Sequence, residues 1–369
     1  MARIARIEPI AVGLPLTQPM KMAGVEIATA ENVLVRIETD TGQVGWGESA
    51  AAPNMTGETI ESMLAAVRYL APHLVGAELT EIDSLHAEMD WRMVANHAAK
   101  SAIEVAVHDA LGKFRGVPAS VLISSGPRQR EHVPVMWLIG TGSVAGDLHE
   151  SRLKKAEGFT AYKIKVGADP VADDASRTRE ICAALGKGLL ISADANQAWS
   201  TDQALAYASA VVGCGLDFLE QPCRAQNVDG AAKVAAAIGL ALGADEGVHS
   251  LDDLRRWHTA GAAHGASLKT IKLGGLRPAF EAGLLCDSLG MKVNLACKIA
   301  ESSIGTAALL QIAAVLPQID WGVSLSSQYL ADDLVRAPIR VIDGHATVPA
   351  GPGLGVEVDE SKVRQYRLS

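Results

Sequence analysis

The 369-residue chain lacks the cysteine pattern of a disulfide-linked or zinc-binding protein. It has only five cysteines, an odd number, and none of them stands in a CxxC spacing. Isolated cysteines of this kind are typical of reduced, buried thiols in a cytoplasmic protein, and they argue against a disulfide framework. These cysteines are Cys182, Cys214, Cys223, Cys286 and Cys297.

The chain also lacks a basic excess and a long apolar run. Its formal net charge is −9 at pH 7, so it has no surplus of cations to neutralise nucleic-acid phosphates or an anionic membrane. The opening segment MARIARIEPIAVGLPL is interrupted by charge and proline before a signal-peptide core can form. No apolar run reaches the length of a membrane span. We therefore expect a soluble, cytoplasmic protein whose partner is a small molecule, with no nucleic acid and no membrane bound.

Aromatic residues are scarce at 4%, whereas hydrophobic residues as a whole make up 49% of the chain. Small and branched side chains suit closely packed layers of helix on sheet. A chain of this length exceeds the size at which one hydrophobic core usually stops growing, so two domains are expected. The segment ENVLVRIETDTGQVGWGES has the pattern of a β-hairpin, and helical spacing follows between residues 59 and 112. We predict an α+β domain over residues 1–127.

From residue 128 a different rhythm begins, in which short apolar runs alternate with alanine-rich helical stretches. The runs recur every 24 to 29 residues, about one strand and one crossover helix per repeat. Eight such units predict a barrel of parallel strands over residues 128–338. An open doubly wound sheet is the weaker alternative, because no glycine-rich fingerprint follows the first strand. The strands are marked by Val135, Tyr162, Ile191, Phe218, Leu242, Leu268, Val293 and Trp321.

Three carboxylates follow three consecutive predicted strands of the barrel. Asp194 stands in SADAN, Glu220 in LEQP and Asp245 in GADE. Catalytic groups of such barrels lie at the carboxyl ends of the strands, and a set of carboxylate oxygens is the kind of site that Mg²⁺ prefers. Any one of these residues is more often a helix cap or a solvated loop residue, but their matching positions favour a metal site.

Lysines occupy the ends of two further strands. Lys163 and Lys165 are two residues apart, so their side chains point to one face, where each disfavours the other's charge. We expect the pKa of one of them to fall from ~10.4 to roughly 7–8, which suits a base at neutral pH. Lys269 follows the sixth strand, half a turn around the barrel. Lys272 is three residues further along and is expected on the opposite face, so that only one of these two points inward.

The ordered set KIK, ADAN, LEQP, GADE, LKTIKLGG and ESSIGTAA resembles the enolase superfamily, and within it the muconate-lactonizing-enzyme subgroup. The resemblance covers nearly the whole chain and selects Lys269 over Lys272. It implies Asp194, Glu220 and Asp245 as ligands of Mg²⁺, with Mn²⁺ as a possible substitute. It also implies Lys165 and Lys269 as acid and base, with Lys163 in support, and a homo-oligomeric assembly.

The predicted fold is therefore α/β: a (β/α)₇β TIM-like barrel with an N-terminal α+β capping domain. Residues 339–369 are expected to pack back on the capping domain and complete it. The resemblance implies that the early loop of the capping domain and the ends of the last strands determine the substrate.

Five residues are predicted to bind the substrate. Val25 stands where the resembling Ala-Glu epimerases carry arginine, and Lys298 where relatives usually have an uncharged residue. We expect Lys298 to meet a second anionic group, although a purely structural contact between Lys298 and Glu301 is equally compatible with the sequence. Asn196 and Glu301 belong to the conspicuous motifs, and Asp320 precedes the eighth strand, where neither a DxD pattern nor an ELFGP-like run is present.

Two opposed lysines are suited to more than one reaction. One amine can remove an α-proton and the other return it, as in racemisation or epimerisation, and the same pair can serve a cycloisomerase. We predict an isomerase of a small carboxylate, such as an amino-acid derivative, that acts through an enediolate intermediate. Syn β-elimination on the same site and a non-catalytic metal-binding scaffold are the alternatives.

Overall fold

An antiparallel sheet and four helices form the N-terminal domain in the computed structural model, which describes residues 2–22 and 25–368 but not the side chains of residues 21–26. Strand β2 pairs with β1 on one side and with β3 on the other, and the β2–β3 pair is the predicted hairpin. The elements are β1 Ile4–Met22, β2 Val25–Thr39, β3 Val44–Ala50, α1 Ile60–Leu74, α2 Ile82–Arg92, α3 His97–Arg115 and α4 Ala119–Ile123.

Helix α3 is buried over most of its length and packs directly on β3. Gly47 makes this approach possible, since a Cβ atom there would lie only 2.0 Å from the carbonyl oxygen of Ala102. The GQVGWGE segment therefore serves close packing of strand on helix.

Eight parallel strands form the barrel, in sequential order from β5 to β12. The elements from the end of the first domain to the last barrel strand are β4 His132–Pro134, β5 Met136–Ile139, α5 Val144–Ala156, β6 Ala161–Lys165, α6 Val171–Leu185, β7 Leu190–Asp194, α7 Thr201–Val211, β8 Phe218–Glu220, α8 Val228–Ala237, β9 Ala241–Ala244, α9 Leu251–Thr259, β10 Gly265–Leu268, α10 Thr270–Leu273, α11 Leu276–Ser288, β11 Lys292–Ala296, α12 Ser303–Ala313 and β12 Val323–Ser324.

The barrel closes through a parallel bridge between Val135 and Val323. Only a 3₁₀ turn, Ser327–Tyr329, follows β12 in place of an eighth helix. The predicted (β/α)₇β barrel with its capping domain is thus confirmed. Five helices of the barrel domain begin at a polar residue that caps the helix. The side-chain oxygen of each cap accepts a hydrogen bond from an N–H group in the first turn. These caps are Ser143, Ser200, Asn227, Ser250 and Ser302.

The interior of the barrel is filled from its amino end upward, which leaves the carboxyl end for a site. Trp321 stacks on Phe218 with ring centroids 3.9 Å apart and closes the lower end. Above them, Asn294 donates to the carbonyl oxygens of Trp321 and Gly322 and accepts from Ser267. The next layer toward the carboxyl end carries the lysines and carboxylates.

The C-terminal segment contacts both domains. Its elements are β13 Val341–Ile342, β14 His345–Thr347 and α13 Glu360–Gln365. Strand β14 pairs with β4, just before the barrel, while Leu368 donates its N–H to Ala11 of β1. The last residues therefore extend the capping sheet, whereas β13 and β14 form a small three-stranded sheet with β4. No helix among the described residues combines the length and the apolar character needed to cross a membrane.

Candidate active site

A cavity opens at the carboxyl ends of the barrel strands, and the capping domain covers one side of it. The barrel contributes most of its wall, and the capping domain contributes two residues from the loop after β3. The lining residues are Asn54, Met55, Leu138, Lys163, Lys165, Asp194, Asn196, Glu220, Glu246, Lys269, Ala296, Cys297, Lys298, Ile299 and Ser324.

Lys163 and Lys165 both face this cavity, as their spacing along β6 predicts. The ammonium group of Lys165 lies 2.7 Å from Oδ2 of Asp194 and 3.0 Å from Oδ1 of Asn196. The ammonium group of Lys163 lies 2.5 Å from Oε2 of Glu220. The register of β6 and β7 explains the first pair, because Lys165 is level with Asp194, and the register of β7 and β8 places Glu220 level with Asp194.

Asp245 forms ion pairs with both Lys269 and Lys272. This contradicts the expectation that only one of the two lysines points inward. Lys269 forms a short ion pair with Oδ2, and Lys272 lies 2.7 Å from Oδ1. The reason is that the strand ends at Leu268 and the chain then turns into the short helix α10, so strand alternation no longer applies. Lys272 is fully buried and also donates to the carbonyl of Ser267, whereas Lys269 reaches the cavity.

These ion pairs set the pKa values of the buried acids. Burial raises the pKa of Asp194, but Lys165 and Lys163 outweigh it and hold the pKa below its usual value. Asp245 behaves in the same way, with Lys269 as its principal partner. Glu220 differs, because burial and the two neighbouring carboxylates raise its pKa more than Lys163 lowers it. The site therefore concentrates negative charge around Glu220.

The carboxylates also determine the protonation of Lys269. Burial favours the neutral amine, but Asp245, Glu246 and Glu220 together raise the pKa of Lys269 above its ordinary value. Carboxylates therefore dominate the surroundings of this amine.

The acidic set fits a divalent cation in its chemistry. Oε1 of Glu220 and Oε2 of Glu246 are buried without a hydrogen-bond partner among the described residues, whereas Oε2 of Glu220 is ion-paired with Lys163. Such acceptor-only oxygens demand a cation, and an all-oxygen set is the preference of Mg²⁺. Among the described residues, no three acidic, histidine or cysteine side chains already converge as a closed metal site. The carboxylates are instead turned toward their lysine partners.

Glu246 is a residue that the sequence reasoning missed, although it follows Asp245 directly in GADE. It lines the cavity and accepts a hydrogen bond of 3.1 Å from Nδ2 of Asn196. Burial, Asp245 and Asp194 raise its pKa to about 7. Asn196 thus connects Lys165, which is ion-paired with Asp194, to Glu246. These contacts give the predicted place of Asn196 at the site a structural basis.

Lys298 lines the cavity at the end of β11 and is buried. Its ammonium group donates a hydrogen bond of 3.0 Å to the carbonyl oxygen of Ile299. No carboxylate of the described residues lies within 4.0 Å of this ammonium group. Burial, Lys269 and Lys165 lower its pKa to about 8. Glu301 does not pair with this ammonium group; its carboxylate accepts the backbone N–H of Lys298 and lies behind the cavity wall.

Besides Glu301, two further predicted substrate-binding residues are not brought to the cavity by the described structure. Asp320 lies at the opposite, amino end of the barrel, 3.1 Å from the ammonium group of Lys292, the first residue of β11. A residue there cannot touch a substrate at the carboxyl ends, so Asp320 is removed from the predicted set. Val25 begins β2, but its side chain lies outside the described residues.

The early loop of the capping domain nevertheless borders the site. A second hollow next to the main cavity is lined by residues 17–20 of β1, and it shares Leu138 and Lys165 with the main cavity. Tyr329 and Glu150 form its other wall. The part of the capping domain that the sequence assigns to substrate choice therefore lies beside one of the amines.

Comparison with known proteins gives a consistent picture. Residues 6–124 match the N-terminal domain of the mandelate racemase/muconate lactonizing enzyme family, and residues 148–362 match the enolase C-terminal domain-like family. A chloromuconate cycloisomerase of Cupriavidus pinatubonensis is 33% identical over 360 residues, with 96% of each chain covered. Muconate cycloisomerase 1 of Rhodococcus opacus is 33% identical over 369 residues, with 98% of each covered.

Solved structures show the same similarity. The muconate lactonizing enzyme of Pseudomonas fluorescens, complexed with muconolactone, superposes with a TM-score of 0.95 at 30% identity over the full length of both chains. An N-succinyl Arg/Lys racemase of Bacillus cereus gives a TM-score of 0.94 at 27% identity, with 100% of this chain and 98% of that chain covered. The chain therefore belongs to the mandelate racemase/muconate lactonizing enzyme family, and it is an enzyme of the enolase superfamily.

Proposed function

We propose that this chain is a Mg²⁺-dependent isomerase that removes the proton next to the carboxylate of a small substrate. One observation carries the proposal. Lys165 and Lys269 line a single cavity from the second and sixth strands of an eight-stranded barrel, and each is ion-paired with a carboxylate at a neighbouring strand end. Amines on opposite sides of one cavity can reach opposite faces of a carbon atom bound between them.

Asp194, Glu220 and Asp245 are the proposed ligands of the metal ion, which supplies a Lewis acid that stabilises negative charge on a substrate carboxylate. This use of a metal with a lysine base is general for the superfamily. Lys165 and Lys269 then exchange protons with the α-carbon, one from each face. Lys163 supports Lys165 by holding the carboxylate of Glu220 on the same side of the site.

The relatives favour cycloisomerisation or racemisation over elimination, since they include both cycloisomerases and a racemase. In a racemisation, one lysine removes the proton and the other returns it on the opposite face. In a cycloisomerisation, one lysine holds the enolate and the other transfers the proton. Syn β-elimination uses the same residues and stays as the alternative reaction.

We also propose that Lys298 binds a second anionic group of the substrate. Its ammonium group has one carbonyl partner in the described structure and lies in the same cavity as the two reactive amines. An anionic group is the partner that a buried cation of this kind lacks. Glu301 and Asn196 then act as positioning residues, Glu301 through the backbone of Lys298 and Asn196 between Lys165 and Glu246.

We also propose where the enzyme acts and how it assembles, from its sequence and its family. The acidic net charge and the reduced cysteines support a cytoplasmic enzyme with a small-molecule partner. The family resemblance supports a homo-oligomer.

Hydrogen exchange at the α-carbon tests the proposal. N-acyl amino acids, dipeptides, betaines and muconates are incubated in D₂O with the enzyme and Mg²⁺, and loss of the α-proton signal is followed by NMR. We expect exchange with at least one class and a loss of roughly 10³-fold or more in Lys165→Ala and Lys269→Ala, since general acid–base catalysis contributes at this scale. Lys292→Ala is the matched control, because that lysine lies at the far end of the barrel.

The outcomes separate the alternatives. Exchange without racemisation or lactone formation, accompanied by release of a β-substituent, indicates elimination. Absence of exchange with every class while Mg²⁺ is bound indicates a metal-binding scaffold and contradicts the proposed enzyme.

A further inference from the structure

Two of the five cysteines lie in contact on the outer layer of the barrel. The Sγ atoms of Cys182 and Cys214 are 3.7 Å apart. Cys182 is buried on α6, and Cys214 is half-buried in the turn that follows α7. The two residues thus bring together neighbouring helices whose preceding strands carry Lys165 and Asp194.

The turn that carries Cys214 has room to move. A disulfide bond is about 2.05 Å long, so the two sulfur atoms need to approach by less than about 2 Å. Gly213 and Gly215 flank the cysteine with φ values of +73° and +102°, and the space around both is open. Two glycines in this conformation let the turn adjust without disturbing the helices.

The more accessible thiol is also the more acidic one. A hydrogen bond with the Cys182 thiol and the nearby Arg179 guanidinium hold the pKa of Cys214 below its ordinary value. The same hydrogen bond and burial raise the pKa of Cys182. The thiolate is the reactive form toward oxidants, so the sulfur that faces solvent is the first to react.

We propose that Cys182 and Cys214 are an internal dithiol that a peroxide oxidises to a disulfide. The Cys214 thiolate attacks one oxygen of hydrogen peroxide, which breaks the O–O bond, forms a sulfenic acid and releases hydroxide. The sulfur of Cys182 then attacks the Cys214 sulfur, the S–O bond breaks, and the departing hydroxide takes up the Cys182 proton as water. Two thiols and one peroxide give one disulfide and two waters.

The disulfide joins α6 to the turn after α7 and closes the chain between residues 182 and 214. Closing a loop of this length restricts the unfolded chain, and we expect the melting temperature to rise by roughly 5 °C. Neither cysteine lines the cavity. The rate of α-proton exchange is therefore expected to stay the same after oxidation.

Thiol counting and peptide mapping test this site. The protein is treated with a small excess of hydrogen peroxide, unfolded, and titrated with a thiol reagent, while mass spectrometry locates the modification. Wild type is expected to fall from five reactive thiols to three, to lose about 2 Da, and to yield a peptide pair joined through Cys182 and Cys214. Dithiothreitol is expected to restore all five.

Cys286→Ser is the matched control, because it removes a buried thiol elsewhere and should still form the cross-link. Cys214→Ser changes only the turn and should abolish the cross-link and the rise in melting temperature. Survival of all five thiols overturns the proposal. So does a disulfide between two chains, or a gain of about 32 Da at Cys214 with Cys182 still free.

Discussion

Lys298 differs from the other lysines of the cavity in having no carboxylate partner among the described residues. If it binds a second acidic group, Lys298→Ala should raise KM at least tenfold for a substrate with two acidic groups, because a charged hydrogen bond is lost. It should leave KM nearly unchanged for an analogue in which that group is a neutral amide. Steady-state kinetics with both compounds checks this. Equal KM values for wild type and variant with the diacid remove Lys298 from the substrate site.

Glu301 gives a prediction about pH. Burial and the neighbouring Glu48 raise its pKa to about 8, above the ordinary value of 4.5 for glutamate. The folded state therefore holds this proton more tightly than the unfolded state does. Its contribution to stability is complete below about pH 4.5 and is lost as the pH rises through 8.

Glu301→Gln cannot ionise, so it should gain stability relative to wild type as the pH is raised from 5 to 8.5, on the order of 4 kcal/mol. Urea unfolding at several pH values measures the difference. Glu31→Gln removes one exposed charge and controls for the change in net charge. A difference between Glu301→Gln and wild type that does not vary with pH contradicts the buried, proton-binding role.

Single residues were predicted well where strand geometry held, and poorly where it ended. The alternation along β6 placed Lys163 and Lys165 on one face. The same rule failed for Lys272, because a helix begins after Lys269. Asp320 was assigned to the wrong end of the barrel, since the eighth strand contains only Val323 and Ser324 and its register cannot be read from so short a segment.

Helix α11 shows how elements from the two domains depend on each other. Its first backbone N–H groups, at Leu276 and Arg277, donate hydrogen bonds of 2.7 and 3.0 Å to the carboxylate of Glu104. Glu104 lies on α3 of the capping domain. Burial works against ionisation of Glu104, but His108 and His86 hold its pKa well below the usual range. This charged cap fixes the segment that follows Lys269.

Glu104→Ala should destabilise the protein by about 3 kcal/mol or more, because it leaves helix N–H groups and a buried histidine without their partner. Urea unfolding measures the loss, and hydrogen exchange should become faster at Leu276 and Arg277. Glu88→Ala, which removes an exposed ion pair with Arg92, should change stability by less than about 1 kcal/mol. Equal effects of the two variants contradict the role of the cap.

The elements themselves were largely predictable, since each barrel repeat combines an apolar strand with a capped helix. Interdomain contacts such as that of Glu104 were not, because a buried carboxylate in an alanine-rich helix has no sequence signal that names its distant partner. Hydrophobic periodicity predicts which face of a helix is buried. It does not predict which distant helix end a polar side chain on that face will contact.

The whole molecule is organised around a cavity to which both domains contribute. The order of motifs predicted the barrel, the capping domain and the family. It did not predict how far each carboxylate is neutralised by lysine, because these pairs depend on side-chain positions at the strand ends. In the structure, every proposed metal ligand faces at least one ammonium group. A divalent cation must therefore compete with lysines for the same oxygens.

Binding of Mn²⁺ followed by electron paramagnetic resonance is the most direct test of this arrangement, since it reports the metal site without requiring a substrate. Wild type should bind one Mn²⁺ per chain, displaced by Mg²⁺, and Glu220→Gln should weaken binding about tenfold or more. Asp320→Asn, at the opposite end of the barrel, should bind as wild type does. Equal affinity of wild type and Glu220→Gln, or no saturable binding at all, would contradict the proposed metal centre and the chemistry built on it.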